Sequence, residues 1–142
     1  MSIETDSGLS CKILSADECL ARCGELATFI SPAFARAAGE VDEWSALRDC
    51  AFGRAVAFEG DHNGELSVLL IAQLIDFPLK RVCNVLAYAG EARRFYHVQG
   101  LVEEWARING AVEMRGYGGE AQCRLARRHG YREIYRMYAK PL

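Results

Sequence analysis

Proline is scarce in this chain: Pro32, Pro78 and Pro141 are the only three in 142 residues. No Pro/Gly/Ser-rich linker, low-complexity tract or internal repeat divides it, so the expectation is one domain over 1–142. A chain of that length buries roughly two-thirds of its unfolded surface without help from a metal or disulfides. There is no run of eighteen apolar residues, which excludes a membrane-spanning helix. The start, Met1-Ser2-Ile3-Glu4-Thr5-Asp6, has neither a basic region nor an apolar stretch of the secretory kind. No Cys-x-x-Cys occurs among the six cysteines, Cys11, Cys19, Cys23, Cys50, Cys83 and Cys123, so zinc-ribbon spacing is missing. Reduced thiols in a cytoplasmic protein are the expectation.

Other chemistries are excluded by what is not there. The chain has no Walker lysine loop, no Gly-x-Ser-x-Gly elbow and no His-Glu-x-x-His. The net charge of −2 gives no general attraction to nucleic acid. Arg124, Arg127, Arg128, Arg132 and Arg136 form a basic group near the end, but no nucleic-acid motif frames them. Nucleic-acid binding is therefore the lesser reading.

What is present is an uneven charge and a legible alternation of elements. Residues 1–66 carry 5 basic and 12 acidic residues (5 − 12 = −7), and residues 67–142 carry 12 and 7 (12 − 7 = +5). The basic half is a candidate for an anionic ligand, unless the two halves interleave in space and cancel. Ser15-Ala16-Asp17-Glu18 has the form of a capping box. The face Cys19, Leu20, Cys23, Leu26, Ala27 and Ile30 then predicts a helix ended or re-aimed by Pro32. A second helix is predicted around 41–49.

Ala55–Phe58 reads as a short strand and Asn63-Gly64 as a hairpin turn. Leu66–Ile75 is a nearly continuous apolar run, as in a strand buried on both faces. After Phe77-Pro78-Leu79-Lys80 the next strand is Arg81–Tyr88. Glu91–Asn109 is the clearest helix, with Phe95, Val98, Val102 and Trp105 in one stripe, Leu101 and Ile108 beside it, and Asn109-Gly110 closing it. Ala111–Tyr117 reads as a strand, Glu120–His129 as a short basic helix ended by Gly130, and the alternating Arg132–Lys140 as a last strand. The order predicts an α/β fold, a mixed central sheet flanked by helices.

From Leu66 onward this order resembles the GNAT superfamily of acyl-CoA-dependent N-acyltransferases. The segment Glu120-Ala121-Gln122-Cys123-Arg124-Leu125-Ala126-Arg127-Arg128-His129-Gly130-Tyr131 is similar to the family's helix that ends in Gly-aromatic before a final strand. The resemblance implies a three-layer fold with acetyl-CoA lying where a central strand gives way to the long helix. There, unpaired helix amides attract the pyrophosphate. It places the cofactor on Leu86, Tyr88, Gly90, Glu91, Ala92, Arg93 and Arg94. Gly90-Glu91-Ala92 matches the end of the family's phosphate pattern, while Ala87 stands where Gln or Arg belongs and Glu91 adds a negative charge. A plain strand-to-helix turn at Gly90, with Arg93 and Arg94 solvated, is the other reading of those residues.

The family's catalytic Tyr position is occupied by Ala126, and its Asn position by Gly119. Glu103, Glu104, Glu113 and Glu120 are the available carboxylates, and no catalytic residue is assigned. Two functional classes follow from the resemblance. One is an acetyltransferase acting on an amine acceptor. The other is a non-catalytic GNAT-shaped binding or structural protein that self-assembles or holds a protein partner. The second resembles small GNAT-like proteins of tailed phages, and it would place the chain in a virion.

Overall fold

The computed structural model describes residues 2–4, 8–35 and 39–142. Six strands form one sheet in the order β1-β2-β3-β4-β5-β6. They are β1 (Ser2–Glu4), β2 (Leu9–Ile13), β3 (Val56–His62), β4 (Glu65–Phe77), β5 (Lys80–Gly90) and β6 (Glu113–Arg115). The first five pair antiparallel and β6 joins β5 in parallel, so the sheet is mixed as expected. The helices are α1 (Ala16–Ala21), α2 (Cys23–Phe34), α3 (Glu43–Ala51), α4 (Ala92–Ile108) and α5 (Glu120–Arg127). Among the described residues no helix is long and apolar enough to cross a membrane.

Two cores sit on the two faces of the sheet. Leu26, Ile30, Ala46 and Leu47 from α2 and α3 meet Ala57, Leu69 and Ile71 on one face. Val98, Leu101, Val102 and Ala106 of α4 meet Leu9, Phe58, Val68, Leu70 and Cys83 on the other. This layering explains the long apolar run of β4. Its side chains alternate between two helical layers, so both sets have to be apolar. Within the α4 stripe Val98 and Val102 are fully buried. Phe95 and Trp105 are half-buried, and Trp105 meets Phe58 edge-on with centroids 5.4 Å apart. Ile108 is exposed, because the helix is ending there.

The turn chemistry reads through directly. Asn63 (φ 53°) and Gly64 (φ 83°) form the two-residue link between the paired His62 and Glu65. Those positive φ values are the ones a tight hairpin needs. Pro78-Leu79 is also a two-residue link, between the paired Phe77 and Lys80, but with no positive φ at either residue. The capping box at Ser15 is complete, with Glu18 N–H donating to Ser15 Oγ (3.1 Å) and Ser15 N–H donating to Glu18 (2.9 Å).

Four expectations are corrected by the structure. The first helix is two, broken at Arg22, whose backbone (φ −108°, ψ 17°) leaves the helical region. The cause is tertiary: Arg22 reaches Glu59 on β3, its Nη2 lying 2.6 Å from Oε2. Glu59 is 5% exposed, and Lys12 stands 3.9 Å from its other oxygen. Pro32 does not end the helix but lies in its last turn. The strands β1 and β2 are additions to the expected order: β1 has only three residues, whereas β2 alternates Leu-Ser-Cys-Lys-Ile with Leu9 and Cys11 buried, the pattern of a half-buried strand. Arg132–Lys140 forms no strand. Residues 132–142 are exposed, β6 has only three residues, and Glu133 is held instead by Arg136 (2.8 Å) and Arg127 (3.9 Å).

Trp105→Ala should destabilise the fold by about 3 kcal/mol, near the low end for truncating a buried aromatic because Trp105 is half-buried. Urea unfolding measures this, and a midpoint unchanged within error would show that the Phe58 contact contributes nothing. Arg22→Met should cost more than Glu59→Met. The first strands a buried carboxylate, whereas the second leaves a guanidinium with access to water and to Glu25. Thermal melts of the two variants should rank in that order.

Candidate functional site

The sheet does not stay closed at its β6 end. β5 and β6 are in register at Val82–Glu113, Cys83–Met114 and Asn84–Arg115, and there the pairing stops. β5 runs on to Gly90, so residues 85–90 have β4 on one side and, among the described residues, no strand on the other. Their outward N–H and C=O groups are a template for an extended polar ligand. A bulge sits at the start of this free edge. Ile71 pairs with Ala87 and Ala72 with Val85, which leaves Leu86 as the extra residue. The bulge shifts the alternation: Cys83, Val85 and Tyr88 pack towards α4, and Leu86, Ala87 and Ala89 towards α2.

The free edge runs into the start of α4 through Gly90 and Glu91. Gly90 has φ +132°, and a Cβ there would lie 2.7 Å from the Ser67 carbonyl oxygen. Only glycine fits this turn. Tyr88 latches it, its hydroxyl donating to the Glu91 carbonyl and its ring meeting Phe95 edge-on at 5.1 Å. Burial pushes the Tyr88 phenol up, so it stays a neutral donor. Glu91 is the N-cap residue, and its side chain makes no capping bond. Its carboxylate instead takes a hydrogen bond from Arg93, which holds it below the usual carboxylate range, and Arg94 lies 3.8 Å away. Glu91 and the two arginines therefore partly neutralise one another.

The structure thus brings Leu86, Tyr88, Gly90, Glu91 and Ala92 together along one edge and the turn that follows it. Arg93 and Arg94 are in the first turn of α4 but line a different cavity, with Leu9, His62 and His97. Of the carboxylates, Glu103 is bonded to Gln99 and Arg107, and Glu113 to Lys80 and Arg115. Glu104 and Glu120 are exposed. None of the four stands out as a base.

Two buried polar groups near the free edge escaped the sequence reading. Asn84 occupies the last paired rung before the edge opens, is 3% exposed, and among the described residues its Oδ1 has no hydrogen-bond partner. It lies between Cys83 and Val85, so its side chain is on the α2 face, like Leu86. A buried acceptor left empty costs about 1–3 kcal/mol, the kind of cost a site carries for a ligand. Tyr131 follows Gly130 (φ +87°), and its amide donates to the Ala126 carbonyl (3.2 Å), closing α5. Its hydroxyl oxygen is buried without a hydrogen-bond partner among the described residues, and burial pushes the phenol up to about 12. His129 stacks on Tyr96 at 3.2 Å and ties this end of α5 to α4. A lone Asn in an apolar strand is the only sequence signal that would have marked Asn84.

No protein-family description matches this chain, and no curated protein resembles it in sequence. Solved structures do. An aminoglycoside acetyltransferase from an uncultured soil metagenomic sample superposes with a TM-score of 0.70 at 17% identity, over 94% of this chain and 98% of its own. A GCN5-related N-acetyltransferase from Ralstonia eutropha JMP134 gives 0.67 at 16% identity, over 95% and 99%. A ribosomal-protein-alanine N-acetyltransferase from Brucella melitensis biovar Abortus 2308 gives 0.67 at 14% identity, over 94% and 99%. At such identities the likeness concerns architecture and not substrate. Over nearly the whole chain, the protein has the same fold as these acetyltransferase structures.

Proposed function

We propose that the protein is an acyl-CoA-dependent N-acyltransferase that uses acetyl-CoA. The observation that carries this reading is the unpaired edge of β5 beyond Asn84, which leads through Gly90 directly to the first amides of α4. The pantetheine arm is an extended chain of amides, and it would complete the missing strand along Leu86 and Tyr88. The pyrophosphate would then meet the N-terminus of α4 at Glu91 and Ala92, where unpaired amides and the helix dipole favour an anion. Arg93 is 75% exposed and free to leave Glu91 for a phosphate oxygen, and Arg94 adds positive potential from behind. The acceptor is an amine, small or on a protein, approaching from the α2 face. Asn84 Oδ1 would take one N–H of that amine and point its lone pair at the thioester carbonyl. In this reading the protein works in the cytoplasm, where acetyl-CoA is made.

A second reading has its own support. Ala126 and Gly119 stand where the resemblance expects a proton donor and its Asn, and Glu91 occupies the two arginines best placed for phosphates. Those features suit a GNAT-shaped protein that binds without catalysing. A structural or accessory role in a phage particle, through self-assembly or a protein partner, belongs to this reading.

Calorimetric titration with acetyl-CoA separates the two. The Glu91–arginine contacts weaken the phosphate site, so the parent should bind at about −6 kcal/mol, in the tens of micromolar. Glu91→Gln releases Arg93 and Arg94 and should tighten binding by about fivefold, roughly 1 kcal/mol. Ala92→Asp places a carboxylate at the helix start and should weaken it. Silence from both the parent and Glu91→Gln at millimolar acetyl-CoA would end the acyltransferase reading.

A further inference from the structure

We propose that the cleft between the end of β3 and the first two turns of α4 is a second anion site, one that takes a phosphate group. The cleft has a volume of about 280 Å³ and is lined by Leu9, His62, Arg93, Arg94 and His97. Water occupies about 30 Å³ per molecule in the liquid, so the space holds a phosphate with several waters, or a small phosphomonoester. Its two walls come from different elements. His62 shares the α4-facing side of β3 with Phe58 and Gly60, and Leu9 is its partner across the strand pair. Arg93, Arg94 and His97 descend the facing side of α4.

The chemistry of the lining is one-sided. Four of its five residues are arginine or histidine, and among the described residues no carboxylate lines it. Glu91 takes a hydrogen bond from Arg93 and stands 3.8 Å from Arg94, so it offsets part of the charge of the lining, and Asp61 accepts from the Gly64 amide. Arg94 is the central cation: its side chain is only 21% exposed and stands 3.8 Å from Glu91, and among the described residues it makes no side-chain hydrogen bond. The Nδ1 atom of His62 is buried and has no hydrogen-bond partner among the described residues. Arginine forks and an imidazole that share a cleft fit an oxyanion with several lone pairs. All ion pairs among the described residues join residues of the same half of the chain, so the +5 of residues 67–142 is not cancelled pairwise by the acidic half.

The cleft adjoins the edge proposed for the cofactor and shares Arg93 and Arg94 with the start of α4, but its other wall is distinct. His62 is on β3 and Leu9 on β2, two and three strands away from β5. At about 4.8 Å per strand, that wall is roughly 10 Å or more from the free edge.

The three histidines, His62, His97 and His129, make the test direct, because His129 is stacked on Tyr96 away from the cleft and serves as an internal control. Imidazole resonances are followed by NMR while inorganic phosphate is added at fixed pH and fixed ionic strength. The expected result is a saturable shift of His62 and His97 with a Kd of about 1 mM, and no shift of His129. Arg94→Gln should weaken the site about tenfold, and His97→Gln serves where that variant folds poorly. Repeating the titration with acetyl-CoA present assigns the source. Undiminished phosphate shifts support an independent site, whereas displacement by acetyl-CoA but not by its 3′-dephospho form would assign the cleft to the cofactor and overturn the proposal. Equal shifts at all three histidines, or none to about 20 mM phosphate, would overturn it as well.

Discussion

Everything in this molecule hangs on the β4–β5 hairpin. Its ladder runs from the Phe77–Lys80 turn to the Val68–Gly90 pair, and both helical layers are built on its two faces. β4 is buried on both sides from Val68 to Ala72, which few antiparallel strands are. That burial forces the apolar run in the sequence and leaves no polar side chain between Val68 and Ala72. The site therefore falls to β5, whose outer edge is the first place where backbone polar groups are left for a ligand.

The bulge at Leu86 and the short β6 act together. A regular β5 paired along its length with β6 would present no free amides. Three paired residues followed by divergence leave six residues of β5 open, and the bulge turns that edge towards the start of α4. Gly90 is then a steric necessity, since any Cβ there would collide with the Ser67 carbonyl. The reading of Gly90 as a plain turn and its reading as part of a phosphate cradle describe the same backbone. The close approach that demands glycine also brings the helix amides next to the free edge.

Charge in the protein is organised locally. Arg22 and Lys12 hold the buried Glu59 beneath α1, and the cost of that arrangement is the break between α1 and α2. Arg93 and Arg94 are shared among Glu91, the helix start and the cleft with His62 and His97. Glu91 thereby offsets part of the positive charge of this turn of α4.

Much of the architecture was legible from the residues. Asn63-Gly64, the Ser15–Glu18 box, the β4 run and the Phe95–Trp105 stripe each encode a local preference, and each appears in the structure where expected. Leu86, Tyr88, Gly90, Glu91 and Ala92, which the family resemblance singles out, share one neighbourhood because they are close in sequence. What only the tertiary structure decided depends on partners distant along the chain. Arg22 breaks a helix because of Glu59, thirty-seven residues on (59 − 22). Arg132–Lys140 alternates like a strand, yet it forms none, because a strand needs an edge to pair with and β6 offers three residues. Asn84 is an ordinary polar residue in the sequence. In the structure it is a buried acceptor at the last rung that β5 shares with β6, its Oδ1 without a hydrogen-bond partner among the described residues.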